Sequence, residues 1–158
     1  MGTWGIRPFD NDSATQFHDS LQPLPDRVRH AAVREMLSLT DRDDLLDSYE
    51  MVIAAAALVA VHCPGGQALD IGLGHPVGLP DTLADDLRPR AAASLTAVLD
   101  VHPDHFGWID KTVCEQWRAG LTHLRTVVLG KPPPDQPTTR VSLTVPPPPP
   151  SVSAPHSR

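Results

Sequence analysis

The chain has 158 residues, of which 41% are hydrophobic, 4% aromatic and 18 are proline, enough for one modest core in one domain and not for two. Its 13 Lys+Arg against 19 Asp+Glu give a net charge of −6. That balance repels phosphate backbones and anionic headgroups and speaks against nucleic-acid and membrane partners. No apolar run reaches the roughly 18 residues that cross a bilayer.

The opening MGTWGIRPFDND lacks a basic-then-apolar leader, so a cytoplasmic protein is expected. Gly2 is not a myristoylation signal, because Ile6 stands where that motif needs Ser or Thr. Cys63 and Cys114, far apart in such a chain, are expected to be reduced and buried. The capping types Asp10, Asn11 and Asp12 precede Ala14, Phe17 and Leu21 at helical spacing, predicting a helix over about 12–21. Pro23 and Pro25 end it, and Pro25 suits the first turn of a second helix. There Val28, Ala32, Met36 and Leu39 form the expected apolar stripe, with Arg27, Arg29, Arg34 and Glu35 off it.

Thr40 and Asp41 punctuate again, and Asp43 and Asp44 favour the positive end of a third helix over about 42–62. Its Met51–Val61 run is apolar on every side, which marks the central helix. Pro64, Gly65 and Gly66 stop it. Residues 64–80 hold five glycines and read as a long loop. Pro80 opens a short helix to about Leu87, and Pro89 is expected to begin another over about 89–100, with Leu95, Val98 and Leu99 inward. Residues 102–108 connect to a last helix over about 109–129, where Val113, Trp117, Leu121, Leu124 and Val128 share one face and Gly130 closes the end.

From Lys131 to Arg158 the chain holds ten of the 18 prolines and too little apolar surface to offset chain entropy. A disordered tail with polyproline II character at Pro146–Pro150 is expected, and its deletion should leave the melting temperature unchanged. The fold class is therefore all-α: a compact bundle of five or six helices in one domain over 1–130, with an irregular N-terminal segment and a Pro-rich tail over 131–158.

Gly2, Trp4, Gly5, Phe9, Asn11 and Asp12 stand in an opening pattern that resembles that of the bacterial family catalogued as domain of unknown function 4259. Ala14 and Phe17, the alanine-rich helix at 51–61, and the last helix with Trp117, Arg118, Leu121 and Leu124 are also similar to it. Arg7 departs from the usual glycine, and Gln16 from a commonly acidic position. The family carries no established activity, so the resemblance implies no chemistry. Read physically, the opening is a clamp. Trp4 and Phe9 bury rings, an Asx residue caps the first helix, and glycines give the backbone room. The competing reading makes Asp10, Asn11 and Asp12 ligands of a cation or substrate, but three adjacent Asx residues cannot all point one way on a helix.

Other constellations are weaker. The stretch from Ala68 to Gly74 resembles the first glycine loop of Rossmann-type methyltransferases, but only a short possible strand precedes it, no helix follows at once, and too little chain remains for a doubly wound sheet. His102, Asp104 and His105 read as a turn, and His62 with Cys63 as a helix end. None has zinc-ligand spacing. Trp117 reads as core, and Trp108 as a residue that could stack a ligand. No nucleophile motif occurs and no cofactor or metal is implied. The leading expectation is a non-catalytic protein-interaction module, with an immunity- or antitoxin-like binder as one version. The alternative is a small-molecule binder or enzyme built around the glycine-rich loop, with Asp70, Gly72, Gly74 and His75 as its candidate residues.

Overall fold

A computed structural model describes residues 5–39, 41–79, 81–101, 103–107 and 110–130, with backbone alone for Arg42, residues 81–84 and Pro103. Among these, five α-helices and two short 3-10 turns are found and no strand. The helices are α1 (Asp12–Leu21), α2 (Asp26–Met36), α3 (Arg42–Val61), α4 (Asp81–Asp100) and α5 (Lys111–Leu129). The expected all-α bundle is what the chain forms. Gly2, Trp4, His102, Trp108 and the tail 131–158 lie outside the described residues.

The bundle is built around α3, which packs against α1, α2, α4 and α5. Every residue from Val52 to Ala60 is at most 3% exposed. Alanines 54–57 and 60 leave room for neighbouring helices on several sides, while Val52, Ile53, Leu58 and Val59 fill the gaps. Each of those larger side chains contributes about 1.5–3 kcal/mol when fully buried. The last helix turns Trp117, Leu121, Leu124 and Val128 inward as its spacing requires. Gly130 ends it in the left-handed region at φ 69°.

Side chains hold the ends of the helices. Asn11, Asp41 and Asp110 cap α1, α3 and α5 by accepting backbone N–H groups of the first turn. Buried Ser94 of α4 places Oγ 2.9 Å from the carbonyl of Leu37, at the end of α2. Arg88 Nε donates to Val128 O at 2.9 Å, and Arg118 Nη2 donates to Leu99 O at 2.8 Å. Carbonyls left open at helix ends are thus met by donors from other helices.

Two expectations need correction. The two short helices about Pro89 are one continuous helix, α4, with Pro89 inside it. Proline there removes one helix hydrogen bond at a cost of about 3 kcal/mol. The break falls on the solvent side, since Asp85, Asp86 and Pro89 are exposed. On the other side Leu87, Ala91, Ala92 and Leu95 keep α4 packed on its neighbours. In α2 the inward stripe is one position away from the expected one. Val33 and, just past the helix end, Leu37 are buried, while Val28 is 49% exposed. Ala32, Met36 and Leu39 pack only partly.

Candidate functional site

The irregular strap ahead of α1 folds onto the loop after α3. Phe9 N–H donates to Ile71 O at 2.9 Å, and the buried Phe9 ring makes a T-shaped contact with His18. Asp10 is the centre of the strap. Its carboxylate accepts from Arg7 N at 3.1 Å and from Arg7 Nε at 3.0 and 3.1 Å, and pairs with Arg7 Nη2 at 2.9 Å. Arg7 Nη1 then reaches Asp70 Oδ1 of the loop at 3.2 Å. The Asp10 hydrogen bonds, the Asp10 charge and then Asp70 all push the Arg7 guanidinium above its ordinary value, so it stays cationic.

Two glycines make room for this carboxylate. A side chain on Gly5 would collide with the Asp10 carboxylate. Gly72 takes φ +84°, and a Cβ there would stand 3.0 Å from Asp10 Oδ1. Gly72 N–H also donates to Asp70 Oδ1 at 3.2 Å, closing a small turn. The three Asx residues therefore diverge. Asp10 holds Arg7, Asn11 accepts from Ala14 N at 2.7 Å as the α1 cap, and Asp12 is exposed in the first helical turn.

The far end of the same loop is held from three helices. His18 of α1 is 3% exposed, and its Nε2 accepts from Val77 N at 3.1 Å. His62, just past α3, places Nε2 3.3 Å from both Val77 O and Leu79 N. Arg29 of α2, its side chain only 13% exposed, donates to Gly78 O at 2.7 Å. It also donates to the carbonyls of Leu21, Gln22 and Leu24 and pairs with Asp26 at 3.2 Å. One guanidinium fork thus ties the α1–α2 turn to the loop.

Beneath the loop lies an open recess of about 430 Å³ lined by Val61, His62, Gln67, Leu69, Leu73 and Pro76, among others. A second, of about 220 Å³, lies between the strap, the loop and Gly120 of α5. Of the candidate loop residues, Asp70 is drawn to Arg7 and Gly72 sits against Asp10, whereas Gly74 and His75 are exposed. Gly74 also lines the larger recess. Among the described residues no three His, Cys, Asp or Glu side chains come together as a metal site would need. Cys63 and Cys114 are free and buried. Cys63 Sγ donates to Val59 O at 3.3 Å, and burial pushes its thiol up.

A third cluster lies along the first half of α3, where Tyr49 and Trp117 line a small recess with Arg7, Pro8 and Asn11 of the strap. Tyr49 of α3, Phe106 of the 3-10 turn Pro103–Phe106 and Trp117 of α5 pack ring to ring, with centroids 4.6 to 6.3 Å apart. Asp43, Asp44 and Asp47 are exposed on the α3 turns leading to Tyr49, with Asp104 exposed beside Phe106.

Composition and apolar spacing did not point to Arg7, His18, Arg29 or His62. One signal was available for Arg29: Pro23 and Pro25 force a tight turn whose open carbonyls call for a nearby multi-donor side chain.

Fold and site together define a small helical-bundle domain with a strap-and-loop end and no helix among the described residues long and apolar enough to cross a membrane. The chain belongs to the family described as domain of unknown function (DUF4259), whose model matches residues 2–120. That span takes in the strap, the loop and all of the bundle up to Gly120 of α5. No curated protein and no solved structure matches the chain.

Proposed function

We propose that the protein is a non-catalytic interaction module of the cytoplasm, which docks a basic protein surface against the acidic end of α3, as an immunity- or antitoxin-like binder would. One observation carries this reading. Asp43, Asp44 and Asp47 stand exposed on the first two turns of α3, an acidic rim at the start of the central helix. Such a rim steers a cationic partner and fixes its orientation. The free, buried thiols fit a reducing compartment.

The test is capture from the cells that carry the protein. Tagged protein is expected to retain one partner stoichiometrically, with capture weakening as salt rises. The Asp43→Lys, Asp44→Lys, Asp47→Lys triple variant is expected to lose it. No stoichiometric partner, or capture indifferent to both salt and the triple variant, overturns the reading.

The recess beneath the glycine-rich loop supports a second reading, a small-molecule binder. Its walls mix apolar side chains with the polar groups of His62 and Gln67. A ligand seated there should raise the melting temperature, and Leu73→Trp, which fills the space, should abolish that rise.

A further inference from the structure

We propose that residues 69–79 form a proton-controlled flap, held shut while His18 is neutral and released when His18 takes up a proton. His18 Nε2 accepts the N–H of Val77 at 3.1 Å. An imidazole nitrogen accepts only when it carries no proton, so this bond places the single proton of the neutral ring on Nδ1. In that tautomer Nδ1–H faces Asp19 Oδ1 as acceptor at 3.5 Å, while Gln22 Nε2 at 3.4 Å, itself a donor, makes no bond to it. A second proton turns Nε2 from acceptor to donor and sets it against the Val77 N–H. Both groups then lack a partner inside the protein, so proton uptake and closure exclude each other. Histidine changes charge in the mildly acidic range, where other side chains in ordinary surroundings do not.

The charged groups about the flap reinforce this. From α1, Asp19 is 65% exposed and remains a partner for the imidazolium once the flap has gone. From α2, Arg29 already places a cation on Gly78 O, with Asp26 as its counter-charge. A second cation at the neighbouring residue is therefore disfavoured in the closed state. From the strap, the uncharged Phe9 ring meets His18, and the Arg7–Asp10–Asp70 set anchors only the other end of the flap. From α3, His62 behaves differently from His18. Its Nε2 lies 3.3 Å from a donor, Leu79 N, and 3.3 Å from an acceptor, Val77 O. Neutral with Nε2 bare it accepts from Leu79; protonated it donates to Val77. His62 exchanges one bond for another, so the switch resides in His18.

Release has a structural consequence. Leu73, Gly74 and Pro76 of the flap wall the 430 Å³ recess together with Val61, His62 and Gln67 outside it. Opening widens that recess, while Phe9 N–H on Ile71 O keeps the flap tethered at its start.

Hydrogen exchange of the full chain, read by mass spectrometry across a pH series and corrected for intrinsic rates, tests the proposal. Protection of residues 73–79 is expected to fall by up to about tenfold per pH unit on the acid side of the histidine range, the slope of one proton. Protection of α3 should hold. His18→Gln offers an oxygen to the same N–H and does not titrate, so its profile should be flat, whereas His62→Gln should keep the slope. A flat profile in the wild type, or a slope retained in His18→Gln, overturns the proposal. Should His18→Gln not fold, nitrogen chemical shifts of His18 in the wild type decide. Nε2 must be bare at neutral pH, and His18 must titrate in step with the flap amides; an Nε2–H tautomer, or titration out of step, refutes it.

Discussion

The N–H of Phe9 donates to the carbonyl of Ile71 at 2.9 Å across 62 residues of chain, one backbone bond that joins the strap to the loop after α3. Around it, the Phe9 ring is buried and the Asp10 carboxylate fits between Arg7, Gly5 and Gly72. Strap and loop therefore stabilise each other. Phe9→Ala is expected to cost about 3 kcal/mol, as loss of a buried ring usually does. Gly72→Ala should cost about 1–2 kcal/mol, since a Cβ is penalised at φ +84°. Ile6→Ala, at a 39% exposed position of the same strap, should stay within about 0.5 kcal/mol. Urea unfolding of the three variants checks the ranking.

Arg29 carries the opposite end of the loop. Its guanidinium meets the carbonyls of Leu21, Gln22, Leu24 and Gly78, an arrangement that depends on a planar fork. Arg29→Met keeps much of the apolar stem and leaves those carbonyls without their donor. It should lower stability by about 2–3 kcal/mol, the usual range for hydrogen bonds to a charged group. Arg29→Lys should recover less than half of the loss, because one ammonium cannot span four acceptors in that geometry. Chemical denaturation of both variants separates fork geometry from charge.

The pattern of side chains explains which parts were legible beforehand. Ala14, Phe17 and Leu21 recur at helical spacing behind a capping residue, and α1 begins and ends where they imply. The Met51–Val61 run is apolar on all sides and could only be central. In α2, by contrast, Val28 and Val33 are equally apolar, and only the position of α3 decides that Val33 faces inward. Pro89 is a strong local stop signal, overridden because the packed face of α4 outweighs one missing hydrogen bond on its wet side. The loop contacts were illegible for another reason. His18 and Val77 are 59 residues apart, and nothing local to either shows that they meet. Asp70 and Gly72 were singled out for a ligand; the structure brings them to Arg7 and Asp10 instead.

The divergence of Asp10, Asn11 and Asp12 makes a prediction about caps and cations. Asn11 accepts the N–H of Ala14 at 2.7 Å, and its Nδ2 donates to Pro8 O at 3.3 Å. Asn11→Ala should cost about 1 kcal/mol, and Asn11→Asp, which keeps the accepting oxygen, clearly less. Millimolar calcium or magnesium should leave the melting temperature of the wild type unchanged. A cation-dependent rise that Asn11→Ala or Asp12→Ala abolishes would restore the ligand reading of this trio.

Cys63 supplies the pH dependence at the alkaline end. Burial raises its thiol pKa, Arg88 acts in the opposite sense, and Asp85 adds to the rise. A raised value in the folded state means that the folded chain holds this proton more tightly than the unfolded chain. The stabilisation is therefore complete below the unfolded value, about 8.5 for a free thiol. It is lost as pH rises through the folded one, because only the unfolded chain gives up the proton early. Between about pH 8 and pH 10 the melting temperature of the wild type should fall more steeply than that of Cys63→Ala. The same burial predicts that a thiol reagent finds neither Cys63 nor Cys114 in the native protein at neutral pH and both after denaturation. Prompt native labelling at Cys63 would contradict both the buried thiol and its contact with Val59 O.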